Sequence, residues 1–179
     1  ANGKQLLKAA IKDPNPVIYF ENKGLFPVKG DVPEDLPPID LSRAQVVREG
    51  ADVTLVSYGL MLTKALTAAD VARREYGVSV EVIDLRSITP LDMPTIYASV
   101  KKTGHLSSRT SHQDRRRGRR DRGARGREPF RLSARAGAAR RRAVHAAAVQ
   151  PVMEDFVLSG EKEILDAVLA AAGKSAGRW

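Results

Sequence analysis

Residues 52–85 read "DVTLVSYGLMLTKALTAADVARREYGVSVEVIDL", and this stretch decides the fold. "DVTLVSYG" (52–59) is a β-branched run that stops at a glycine, the pattern of a short buried strand. "LMLTKALTAADVARREYG" then spaces Leu62, Leu66, Ala69 and Ala72 along one helical face, and Gly77 can close the helix in a left-handed cap. "VSVEVIDL" (78–85) is a second strand. Strand, helix and strand in this order predict a right-handed crossover and a parallel sheet covered by helices.

The pattern continues downstream. Thr89 can cap a further helix, with Pro90 at its first position and Asp92 in its first turn. Met93, Ile96, Tyr97 and Val100 form its apolar stripe and Gly104 ends it. "HL" (105–106) should open a third strand. Near the end of the chain Ser159 can cap a helix that lines up Ile164, Leu165, Val168 and Leu169.

Upstream the texture is different. Leu6, Leu7, Ala10 and Ile11 have helical spacing, Pro14 and Pro16 break that helix, and "VIYF" (17–20) is expected to be a short strand. Residues 22–41 hold four prolines and two glycines, the composition of an extended linker.

Composition narrows the function classes. The chain has 179 residues, enough for one sizeable domain or for one domain plus a fragment of another, and no cysteine, which excludes disulfides and thiolate metal sites and favours a cytoplasmic location. No apolar run is long enough to span a membrane, and the polar start without methionine suggests a processed chain or a fragment. The net charge of +9 is localised. Residues 107–150 hold fourteen Arg and no Lys against Asp114, Asp121 and Glu128, a balance of +11 that leaves −2 for the remainder.

Four ordered stretches carry a family resemblance: "LLKAAIKDPNPVIYFENKGLF" (6–26), "VVREGADVTLVSYG" (46–59), "VSVEVIDLRSITPLD" (78–92) and "SVKKTGHL" (99–106). Together they resemble the beta subunit of the thiamine-diphosphate-dependent decarboxylase of 2-oxo acid dehydrogenase complexes, the pyruvate, branched-chain 2-oxo acid and acetoin dehydrogenases. The likeness covers residues 1–106 and, more weakly, 151–172.

The resemblance implies an α/β chain. Residues 1–21 would be the last helix and strand of a truncated pyrimidine-binding domain, 22–41 a linker, and 42–179 a three-layer transketolase C-terminal-like domain with a mainly parallel sheet. It implies thiamine diphosphate with magnesium in a heterotetramer with an alpha subunit and a second beta subunit, and docking to a lipoyl acyltransferase core. No membrane and no specific nucleic acid belong to this picture. The catalytic groups of such subunits would lie in an N-terminal half not represented here, so no catalytic or thiamine-binding residue is assigned. Another transketolase-like enzyme is the nearest alternative.

The same resemblance implies a potassium loop in "AIKDPNP", with oxygen ligands at Ala10, Asp13 and Asn15. The competing local reading is a helix-ending turn closed by an Asx hydrogen bond. Glu21 is expected at a strand end, where solvation explains it as well as an interface does. Asp84, Arg86 and Asp92 are expected to form a structural polar network. Glu154, Asp155, Glu161 and Glu163 make the C-terminal part acidic, suited to a basic partner or simply to solvent. His105, His112 and His145 lack metal-ligand spacing.

The arginine run has two readings. Arg clusters neutralise phosphates, which would make 107–150 a nucleic-acid-binding insertion, yet no aromatic is interleaved among the arginines of 109–127 to stack on bases. Alternatively the segment is a frameshift. With codons for "SHQDRRRGRRDRGARGRE" (111–128) advanced by one base, "ATKTGGVGAEIAARVAE" can be read, close to the glycine turn and helix the resemblance implies at that place. As written, residues 107–150 are expected to pack poorly and to leave the sheet edge beyond Leu85 uncovered.

Overall fold

The computed structural model describes residues 2–108 and 160–174. The elements are α1 (Asn2–Lys12), a 3-10 turn (Lys23–Leu25), β1 (Gln45–Arg48), β2 (Val53–Ser57), α2 (Leu60–Tyr76), β3 (Val80–Asp84), α3 (Met93–Thr103), β4 (Leu106–Ser108) and α4 (Glu161–Ala171). The strands form one sheet in the order β1-β3-β2-β4. β2 runs parallel to both β3 and β4, while β1 is antiparallel to β3.

Both crossover helices form where the periodicity places them. α2 ends at Gly77, which takes φ 62° and donates its N–H to the Arg73 carbonyl, while the Val78 N–H donates to that of Ala72. Its buried stripe is Met61, Ala65, Ala68, Ala69 and Ala72. Leu62 and Leu66 lie at the rim of the core, half-buried. The small alanines let α2 approach the sheet and α4 closely, so the stripe nearest the sheet is the one with least bulk.

One face of the sheet packs Val53, Leu55, Val80 and Val82 against α2 and against Ile164, Leu165, Val168 and Leu169 of α4. The opposite face packs Val56, Ile83 and Leu85 against Ile96 and Val100 of α3. Helix, sheet and helix make the three-layer α/β arrangement the sequence implies. Each fully buried Val, Leu or Ile contributes about 1.5–3 kcal/mol of transfer free energy.

Several local expectations are corrected. The first residues of α3 are capped by Asp92, whose carboxylate accepts from the Thr95 N–H at 3.2 Å, and not by Thr89. Tyr97 stays half exposed while Ser99 and Thr103 take buried places beside Ile96 and Val100. The N-cap of α4 is Gly160, and Ser159, the residue expected to cap it, lies outside the described residues.

β1 was not foreseen, and it covers the β3 edge that the sequence suggested would be open. Four residues give little periodicity, and the pairing of Gln45 with Asp84 joins distant parts of the chain. The third parallel strand does begin after His105, but it adds to β2 rather than to β3. Ser107, the first residue of the arginine-rich segment, is buried opposite Leu55; beyond Ser108 that segment lies outside the described residues.

Residues 17–20 do not form a strand. A strand requires a second backbone to complete its ladder, and none of the described residues supplies one. Ile18 and Phe20 are 79% and 81% exposed. α1 likewise has no buried residue and is tied down by polar contacts: Lys4 and Gln5 donate to the carbonyls of Pro33 and Pro37, and the Tyr19 hydroxyl donates to that of Gly3.

Candidate functional site

In an open parallel sheet, ligands enter outside the carboxyl ends of adjacent strands whose following helices lie on opposite faces. Here those strands are β2 and β3, followed by α2 and α3. Ser57 and Asp84, register partners at the ends of these strands, mark the place.

The polar groups there close on one another. Asp84 is buried and its carboxylate accepts from the Arg86 N–H at 3.2 Å and from the Asn2 side chain. Burial pushes its carboxyl above the usual aspartate range, and the contacts with Arg86 and Asn2 only partly oppose this. Arg86 occupies the left-handed region, φ 56°, and its guanidinium donates to Gln45 of β1. Its buried Nε has no acceptor among the described residues, a cost of about 1–3 kcal/mol.

Asp92 does not join this pair directly. It accepts from the Thr95 hydroxyl at 2.6 Å and from the Ala44 N–H at 3.0 Å. Burial would raise its carboxyl, but these hydrogen bonds outweigh burial and hold it below the ordinary range. The start of β1 and the residue before it therefore link the two clusters, the Ala44 N–H donating to Asp92 and Gln45 accepting from Arg86. The network is a brace for the β3–α3 turn, as the residue types suggested, with β1 as the member they did not reveal.

A second polar group lies between the sheet and α3. Thr54 and Glu81 are register partners. The Thr54 hydroxyl is 2.7 Å from those of both Ser99 and Thr103, and Thr103 donates on to the His105 carbonyl at 3.1 Å. Glu81 is 2% exposed and accepts from Lys102, which also donates to Glu49 at 2.5 Å. Burial would raise the Glu81 carboxyl, but hydrogen bonds from Lys102, Ser99 and the Gly50 N–H hold it low. The one signal of this cluster in the sequence was a glutamate inside the β-branched run 78–85.

The loop foreseen for potassium carries an Asx turn after α1. Asn15 donates to Asp13 Oδ1 through its backbone N–H at 2.9 Å and its side-chain amide at 3.0 Å. Ala10 sits in the last turn of α1. No group of three or more His, Asp or Glu side chains able to hold a metal occurs among the described residues. Glu21 is exposed in a segment without regular structure, Glu161 and Glu163 occupy the first turn of α4, and His112, His145, Glu154 and Asp155 lie outside the described residues.

Among the described residues, those at the strand ends do not fit a thiamine cofactor. The strand-end crevice is crossed by the Asn2–Asp84 contact, and Gly24 lies against Leu60 at the start of α2, where a Cβ would come within 3.0 Å of its side chain. An open cavity of about 300 Å³, lined by Asp52, Gly77, Thr103, His105 and Lys174 among others, sits at the opposite ends of the strands. Its polar groups serve the chain itself: Asp52 accepts from the Ser79 N–H at 2.7 Å and Lys174 donates to the Tyr76 carbonyl.

A mainly parallel four-stranded sheet between α2 and α4 on one side and α3 on the other, with polar braces at the strand ends, defines a three-layer α/β domain. Residues 42–115 match the family described as transketolase, C-terminal domain.

The particular relatives are beta subunits of an acetoin oxidoreductase and of pyruvate dehydrogenase E1 components. The chain is 47% identical over 103 residues to the acetoin:2,6-dichlorophenolindophenol oxidoreductase subunit beta of Cupriavidus necator, covering 58% of this chain and 30% of that one. It is 49% identical over 107 residues to the pyruvate dehydrogenase E1 component subunit beta of Rhizobium meliloti, covering 59% and 23%. The corresponding Bacillus subtilis subunit is 44% identical over 104 residues, covering 58% and 32%. The chain thus spans about a quarter to a third of the length of these relatives. A solved structure titled "Split gene transketolase, inactive beta4 tetramer" shares the fold, with TM-score 0.61 and 24% identity over 81% of this chain and 48% of that one.

Proposed function

We propose that this chain is part of the beta subunit of a 2-oxo acid dehydrogenase complex, which carries out thiamine-diphosphate-dependent oxidative decarboxylation with acyl transfer to lipoyl groups. The observation that carries the proposal is the 44–49% identity to subunits of this kind over 103–109 residues. The described part serves assembly: it pairs with an alpha subunit and a second beta subunit and docks the lipoyl acyltransferase core. Residues 1–21 belong to the end of a pyrimidine-binding domain, 22–41 to a linker and 42–179 to the transketolase C-terminal-like domain.

Thiamine diphosphate and magnesium are held in the assembled enzyme by residues other than those described here. Supporting this is the closed polar network at the strand ends, which offers no free acid–base pair. Potassium at Ala10, Asp13 and Asn15 would be held largely through backbone carbonyls, which the Asx turn made by the Asp13 side chain does not engage. Among the described residues no helix is long and apolar enough to cross a membrane, and the cytoplasm is the proposed location.

The test is co-purification with an alpha subunit and with the acyltransferase core of a pyruvate or acetoin dehydrogenase, alongside turnover by the isolated chain. The expected result is association without independent decarboxylation. Activity of the chain alone, or no association with either component, overturns the proposal.

For residues 107–150 we propose the frameshift reading over a nucleic-acid-binding arm. Its support is compositional: every Arg-rich stretch falls within this one segment. Sequencing the gene decides between the two, since an uninterrupted frame encoding the arginines overturns the frameshift. Deleting the segment and measuring nucleic-acid affinity across salt concentrations then shows whether the polypeptide as written binds through it.

A further inference from the structure

We draw no further inference here: the strongest candidate, the unpartnered apolar face that α1 and the following extended segment present through Leu7, Ile11, Ile18, Phe20, Phe26 and Val28, carries nothing because nothing in the structure shows what covers it.

Discussion

Gly50 approaches Glu81 so closely that its N–H donates to the buried carboxylate at 3.3 Å, while a Cβ on Gly50 would lie 2.2 Å from the Glu81 nitrogen. The turn between β1 and β2 is thereby pressed onto β3 with no room for a side chain. Gly50→Ala is expected to destabilise the domain by about 3 kcal/mol, the upper part of the usual overpacking range, because the atoms it meets are backbone. Urea unfolding checks this; an unchanged midpoint would show that the turn can move away without cost.

Glu81 is held in its charged form by Lys102, Ser99 and Gly50 despite its burial. A carboxyl whose folded pKa is depressed contributes stability above its unfolded value of about 4.3, and loses it as pH falls through the lower folded value. Glu81→Gln should cost about 1–3 kcal/mol at neutral pH and make stability fall less steeply on acidification. Melting temperatures between pH 7 and pH 3 give the comparison, and parallel curves for the two proteins would contradict it.

Asp84 carries the opposite sign. Burial raises its carboxyl, so its contribution is present below the ordinary aspartate value of about 3.9 and is lost as pH rises through the folded value. Asp84→Asn keeps an acceptor for the Arg86 N–H and removes the buried charge. It should therefore be neutral or stabilising at pH 7, where Asp84→Ala is destabilising. Equal losses from both substitutions would mean that the charge itself is needed beside Arg86.

Asp92 both caps α3 and anchors Ala44 at the entrance to β1. Asp92→Ala is expected to cost about 1–2 kcal/mol through the lost cap. Faster amide exchange should appear in α3 and in β1 alike. Confinement of the change to α3 would show that the Ala44 contact is dispensable.

Ile18 and Phe20 are almost wholly exposed and lack a strand partner among the described residues. Replacing both with serine should leave the melting temperature within about 1 °C, since exposed substitutions change stability little, while raising solubility and lowering binding of an apolar dye. A drop of several degrees would place these side chains in packing that the exposure does not reveal.

What the sequence determined by itself was the local and periodic part. The apolar run of β2, the helical spacing of α2, the glycine caps at Gly77 and Gly104 and the strand 80–84 are written in consecutive residues, because backbone sterics and face burial act over a turn or a pleat. The Asp13–Asn15 turn was legible for the same reason. The tertiary structure decided what depends on distant partners. It made a strand of Gln45–Arg48 and withheld one from 17–20, since a ladder needs a second backbone. It moved the cap of α3 from Thr89 to Asp92, which Ala44 also engages. It turned Glu81 from an interruption of a β-branched run into the anchor of α3, because burying a charge becomes tolerable only when Lys102 and Gly50 arrive from elsewhere in the chain.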